Sequence, residues 1–390
     1  MSFVNYQNEI YFRGMAGERP PFTTDLAGLE DAARAAMTPE AFGYVAGSAG
    51  SGATARANRR AFDRWAIVPR MLRDVADRDV STTVAGTAMP APVLLAPVGV
   101  QTIAHPDGEL ASARAAAALG LTFIHSTAAA HSIEDVAAAS GGGSRWYQLY
   151  WPNDRSVATS LVGRAEAAGF GALMVTLDTF MMGWRPRDLD VAYLPFLQGT
   201  GIANYLSDPA FNAPLNEDAP LGDRVMRWAG IFGNPRLTWD DLAWLRSQTG
   251  LPIVLKGILH PDDGRAALDA GVDGLVVSNH GGRQVDGAIA ALDALPGVLD
   301  AVGGTVPVLV DSGVRTGADV VKAVALGAAA VLYGRPYIYG LGLGGQAGVE
   351  HVLRCLLGEL DATMALSGHR TLAELSPDLL AVAPGAGPVP

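Results

Sequence analysis

Between residues 92 and 334, short apolar runs rich in β-branched residues alternate with alanine-rich stretches whose apolar positions recur at helical spacing. The runs fall at 93–97, 122–126, 146–150, 173–177, 253–256, 274–278, 306–311 and 330–334. Helical patterns fall between or after them at 108–119, 132–139, 155–168, 239–248, 261–270, 289–302 and 317–326. The runs are continuously apolar instead of alternating, as expected for parallel strands covered by helices. Eight regular units predict an α/β fold, a closed (β/α)8 TIM barrel, in preference to an open doubly wound sheet.

Two segments fall outside this repeat. Residues 1–90 hold helical patterns at 28–36 and 39–45, a Gly/Ser turn at 47–52 and a further segment at 58–65, which read as a helical cap on the barrel. The chain is therefore expected to form a single domain, 1–390, with the barrel at 91–376. A connection at 181–237, rich in Pro, Gly, Asn and aromatic residues, separates the fourth strand from its helix. It is far longer than such connections need and predicts a lid or binding loop at the active end. The end of the chain, APGAGPVP, reads as part of a flexible tail at 377–390.

Composition narrows the function. With 49% apolar and 17% charged residues, a large core is expected. A net charge of −11 leaves no basic stripe for nucleic acid or an anionic membrane. The lone Cys355 forms no intrachain disulfide, and no leader-like or membrane-spanning run is present, so a cytoplasmic protein is expected. Of 28 basic residues only Lys256 and Lys322 are lysines. Lys322 lies in a helical pattern, but Lys256 ends an apolar run, where a compact ammonium has a use.

Catalytic residues of such barrels lie at the C-terminal strand ends. The seventh and eighth ends offer Asp311-Ser312-Gly313-Val314-Arg315 and Gly334-Arg335, glycine turns and arginines that suit a phosphate. Ser126, Gln148 and Thr176 offer hydrogen bonds to one edge of a planar heterocycle, and Lys256 a positive charge beside it. Together they fit flavin mononucleotide (FMN) better than a sugar phosphate. Arg185 and Arg283 suit a carboxylate clamp, and His280 a base whose ring Asp178 orients. His105, His125, His131 and His260 show no ligand spacing, so no metal is expected. Gly340–Gly345 matches GxGxxG but follows no strand, which argues against a dinucleotide site.

The stretch SNHGGRQVDG at 278–287, with VLKG, DSGVRTGADVVKAVALG and GRP, resembles the FMN-dependent α-hydroxy-acid oxidizing family. That resemblance implies the FMN-binding TIM barrel. Further likeness, in YQNEIY, YVAGSAG, WYQLYWPNDR, GWRPRDL and PFLQGTGIANYLSDP, is to its lactate 2-monooxygenase branch, which converts L-lactate and O2 to acetate, CO2 and water. Carried over, it makes His280 the base for either the α or the hydroxyl proton, with Asp178 its partner. Arg185, Arg283, Tyr44 and Tyr150 would bind the substrate, and Lys256 would stabilise negative charge on the flavin. Pro97, Val98 and Gly99 would face the flavin, with Ser126, Gln148, Thr176 and Ser278 at its polar edge. Asp311, Ser312, Gly313, Arg315, Gly334 and Arg335 would hold its ribityl and phosphate groups. Gly99 stands where typical oxidases carry alanine, and its missing methyl is expected to change the room for oxygen and retained product. Ala128 replaces a bulkier residue, which suggests room for a larger 2-hydroxy acid. An oxidase or dehydrogenase releasing the 2-oxo acid is the alternative, followed by a non-redox FMN isomerase. The family further implies a homo-oligomer, a tetramer or octamer.

Overall fold

A computed structural model describes residues 3–384. Its centre is a closed parallel barrel of β1 (Val93–Leu95), β2 (Thr122–Ser126), β3 (Arg145–Leu149), β4 (Leu173–Thr176), β5 (Ile253–Ile258), β6 (Gly274–Val277), β7 (Val308–Val310) and β8 (Ala330–Tyr333). Neighbours in sequence are neighbours in space, and β8 closes on β1 through Val331 opposite Val93. The predicted barrel is therefore the observed one, with strand limits shifted by a residue or two.

Side chains of a strand alternate between its faces, and this period of two positions the site. One residue from each strand fills the barrel: Leu94, Ile124, Trp146, Met174, Val254, Val276, Leu309 and Leu332. Each such buried side chain contributes roughly 1.5–3 kcal/mol. Two positions on, facing the same interior, come Ala96, Ser126, Gln148, Thr176, Lys256, Ser278, Asp311 and Gly334. A polar ring thus lies directly on an apolar plug. The opposite end is closed by a hairpin, Thr82–Val84 with Thr87–Met89, whose Thr87 hydroxyl accepts from Trp146 Nε1 at 2.9 Å.

Around the barrel the structure departs from several expectations. The cap contains helices Leu29–Ala36, Pro39–Ala46 and Ala53–Asp63, and also Asn5–Met15, whose polar sequence hides it from a periodicity search. Thr38 caps the second of these, its hydroxyl accepting from Ala41 N–H, and Pro39 starts it. The connection at 181–237 is not an irregular loop. It folds as Pro186–Asp190, Ala203–Leu206, Pro209–Asn212 and Leu221–Phe232, helped by Asp208, which caps Phe211 N–H. Gly340–Gly345 lies in the long helix Arg335–Ser367, where Gly344 and Gly345 leave helical geometry. The flexible tail expected from 377 is ordered over its first residues, where Leu380–Val382 pairs antiparallel with Trp65–Ile67. Residues 385–390 of that tail lie outside the described residues. Among the described residues no helix is long and apolar enough to cross a membrane.

Candidate active site

The polar ring is stitched to the turn after β6. Lys256 Nζ donates to Ser278 Oγ at 3.0 Å and lies 3.4 Å from Asp311 Oδ2. Ser278 Oγ accepts from His280 N–H, and Ser312 Oγ accepts from Gly281 N–H while donating to Asp311. Burial works against the Lys256 ammonium, but the charges of Asp311 and Asp178 more than offset it, and its pKa lies above the ordinary lysine value. These bonds hold His280 and Ser312 at φ 59 and 73, a conformation uncommon outside glycine. The two glycines after His280 permit close packing: a Cβ on Gly282 would stand 2.6 Å from the Ala55 amide nitrogen.

His280 Nδ1 lies 2.9 Å from Asp178 Oδ1 and 3.2 Å from Thr179 Oγ1. Burial opposes the Asp178 anion, but His280, Lys256 and two side-chain hydrogen bonds prevail and set its pKa at about 2. An ionised carboxylate only accepts, so Nδ1 carries the proton and Nε2 the lone pair. Nε2 takes no hydrogen bond among the described residues. Burial lowers the His280 pKa, Asp178 opposes this, and the Lys256 and Arg185 charges reinforce it. The ring is therefore neutral and basic at physiological pH. Tyr150 stacks on it at 6.5 Å; burial raises its phenol to about 12, so the hydroxyl stays a donor.

The arginines are partly committed to the protein. Arg185 donates from Nε to the Arg283 carbonyl and from Nη2 to Gln284 Oε1. Arg283 donates from Nη1 to the Tyr44 and Gly47 carbonyls and lies 5.0 Å over the Tyr44 ring. That leaves its Nε–Nη2 edge as the one that can grip a carboxylate in two places. Burial, then the neighbouring Arg283 charge, lower the Arg185 pKa to about 10, a strain that an anion between them would relieve. Arg335 spends three N–H groups on the carbonyls of Val45, Gly281 and Gly47, bracing the cap against the β6 turn. Arg315 is freer, its guanidinium donating only to the Val314 carbonyl among the described residues.

Across the cavity the wall carries no charge. Val100 N–H donates to the Ala128 carbonyl at 2.9 Å, and a Cβ on Gly99 would stand 2.5 Å from that oxygen. The missing methyl therefore permits two loops to touch and leaves no vacant space, which changes the expected meaning of Gly99. Ala128 shares the cavity lining with Phe196 and Phe232 of the long connection. Phe196 stacks on Trp228 at 4.9 Å, and Phe232 lies 5.3 Å from Tyr150.

The cavity, with the open space at its mouth included, spans about 1130 Å³. Arg185, Arg283, Arg315, Arg335 and Lys256 line it, against one carboxylate, Asp311, among the described residues. Two anions, a phosphate and a carboxylate, suit such a surplus. A family model for FMN-dependent dehydrogenases matches residues 33–382. The chain belongs to that family. An FMN-dependent alpha-hydroxy acid dehydrogenase of Penicillium citrinum, qulF, is 46% identical, the match covering 97% of this chain and 96% of that one. An L-lactate oxidase of Lysinibacillus sphaericus is 44% identical, over 91% and 92% of the two chains. A crystal structure of mandelate oxidase superposes with a TM-score of 0.82 at 40% identity, over 92% of this chain and 98% of that one.

The residues present fit the family's FMN. Gln148 Nε2 is buried and without a hydrogen-bond partner, a donor left for a ligand. Of the residues expected to serve the site, Tyr44, Pro97, Val98, Gly99, Ala128, Tyr150, Asp311, Ser312, Gly313 and Gly334 line the cavity with the five cations and His280. Ser126, Gln148, Thr176 and Ser278 do not line it but are buried in the polar ring of the strand ends, and Asp178 is hydrogen-bonded to His280. Sequence reasoning passed over Thr179, Met182, Phe196 and Phe232, which also line it. It passed over Gln284 too, whose Nε2 donates to the Asp178 and Met181 carbonyls. The run SNHGGRQ contains Gln284, but its role depends on the connection folding back.

Proposed function

We propose that the protein oxidises a small L-2-hydroxy acid, L-lactate first, and retains the 2-oxo acid until oxygen has converted it: L-lactate and O2 give acetate, CO2 and water. The observation that carries the 2-hydroxy-acid reading is the neutral His280, its Nε2 free, in one cavity with Arg185 and Arg283. The Nε–Nη2 edge of Arg283, with Arg185, would bind the carboxylate, and Tyr44 and Tyr150 would orient carboxylate and hydroxyl. His280 Nε2 would take the proton, α or hydroxyl, while Asp178 stabilises the imidazolium that forms. FMN supplies the two-electron acceptor that passes electrons on to oxygen. Lys256 would set its charge against that acceptor, with Gln148, Ser126, Thr176 and Ser278 at the polar edge. Arg315 and the 311–313 and 334 backbone would receive the phosphate end.

Retention of the product is supported by the close approach of Gly99 to Ala128 and by the aromatic side chains of Phe196 and Phe232 in the same cavity lining. A second reading, release of the 2-oxo acid with hydrogen peroxide, is favoured by the L-lactate oxidase relative. Aerobic turnover of L-lactate decides between them. Equimolar acetate and CO2 without free peroxide are expected; equimolar pyruvate and peroxide would establish the second reading. A homo-oligomer, a tetramer or octamer, belongs to the same proposal and is supported by the exposed apolar side chains of Phe180, Met181 and Trp184.

A further inference from the structure

The stretch HPDGE, 105–109, has no part in the chemistry above, yet it delivers a wholly buried carboxylate to the back of the site. Glu109 lies in the first turn of helix Gly108–Ala118 and none of its surface is exposed. Its Oε1 accepts from Gln101 N–H at 3.0 Å and from Ala130 N–H at 3.1 Å, and its Oε2 pairs with His131 Nδ1 at 2.9 Å. Gln101 follows β1 and Ala130 follows β2, so a single oxygen bridges the two loops that carry Gly99 and Ala128. The same loops meet at the bond from Val100 N–H to the Ala128 carbonyl. Gln101 is itself held, its amide donating to the Val98 carbonyl and its Oε1 accepting from Ser112.

A buried carboxylate is costly unless its oxygens are satisfied. Burial opposes the Glu109 anion, but the bonds from His131, Ala130 and Gln101 outweigh it, and its pKa lies below the ordinary glutamate range. The bond to Glu109 raises His131 in turn. The first turn of a helix also favours negative charge. Stability alone does not require one oxygen to serve both loops.

We propose that Glu109 is a positioning residue for the reaction: its Oε1 bridge fixes the separation of loops 97–101 and 126–130, and with it the access of oxygen to the cavity wall at Gly99 and Ala128. This rests on the reading that FMN occupies that cavity with its reacting face toward the two loops. The chemistry of His280 lies across the cavity and is not served by the bridge.

The test compares Glu109→Ala and Glu109→Gln with the wild-type holoenzyme. Glutamine keeps an oxygen for both amides, whereas alanine leaves two buried N–H groups unmet. In Glu109→Ala, amide hydrogen exchange of segments 97–101 and 126–131 should quicken about tenfold, with that of 274–283 unchanged. Stopped-flow should show re-oxidation by O2 altered about tenfold while anaerobic bleaching of bound FMN by L-lactate stays within about threefold. Glu109→Gln should restore both. Unchanged exchange in Glu109→Ala would overturn the bridge, and loosened loops with an unaltered O2 step would overturn its role in the reaction. If the alanine variant does not fold, Glu109→Asp, one methylene short of spanning both amides, should show the same split at about threefold, and a wild-type pattern there overturns the proposal. Wild-type enzyme that L-lactate does not bleach would refute the L-lactate reading instead, and the exchange data would still judge the bridge.

Discussion

The arc of strand ends from β4 to β7 and the arc from β1 to β3 face each other across one cavity and are built on different principles. On the first, Asp178, Lys256, His280 and Asp311 are fixed by charge-assisted bonds, among them 2.9 Å from Asp178 to His280 and 3.4 Å from Lys256 to Asp311. On the second, no charged side chain among the described residues faces the cavity: Gly99 and Ala128 are placed by backbone contact and by the Glu109 carboxylate buried behind their loops, beside aromatic side chains of the long connection. Charge-assisted networks fix orientation and protonation, whereas apolar contact fixes shape. Bond breaking therefore belongs to the charged arc and the fate of the product to the uncharged one. Substitutions should divide along the same line.

The largest effect belongs to the charged arc. His280→Ala should keep its bound FMN yet reduce the rate of anaerobic bleaching by L-lactate by about 10²–10⁴-fold. Next comes Asp178→Asn, expected to cost about 10²-fold in kcat by losing the group that orients the ring and stabilises the imidazolium. Its pH profile adds a sign. A neutral His280 is required, so wild-type kcat/KM should be flat at neutral pH and fall only as pH drops through a His280 pKa below the usual value. Asp178 is the charge that raises that pKa. Removing it should move the acid limb to lower pH, and a shift to higher pH would contradict the assignment.

Arg283→Lys should raise KM for L-lactate about ten- to a hundredfold, since an ammonium cannot reproduce a two-point grip. Unchanged KM would move the clamp elsewhere. On the uncharged arc, Gly99→Ala drives a methyl toward the Ala128 carbonyl and must part the two loops. It should shift products from acetate toward pyruvate and peroxide about tenfold, at a cost of about 1–3 kcal/mol in stability. The smallest effect is expected from Phe232→Ala, which opens the wall beside Tyr150. Selectivity for mandelate over lactate should rise by about three- to tenfold, read from the ratio of kcat/KM values.

The charged arc was largely legible in the sequence because each of its residues follows an apolar run, and turns of the SNHGGRQ kind stay local. The ring of Ser126, Gln148, Thr176, Lys256, Ser278 and Asp311 was legible too, because each of its members is a polar residue at the end of an apolar run. The uncharged arc was read less well. At Gly99 the sequence pointed to a change in room for oxygen and product, but nothing local reveals that Ala128, 29 positions away, stands against it. The bracing bonds of Arg335, which lines the cavity as expected, were not legible because its carbonyl partners at Val45 and Gly47 belong to the cap. Phe196 and Phe232 reach the cavity only when the connection folds as helices, a tertiary fact with no periodic trace.

The division between the two arcs is tested most directly by anaerobic stopped-flow bleaching of bound FMN with L-lactate, run side by side on wild type, His280→Ala and Gly99→Ala. The account predicts that Gly99→Ala bleaches within about threefold of wild type while His280→Ala is slowed by about a hundredfold or more. Bleaching slowed as much by Gly99→Ala as by His280→Ala would contradict it.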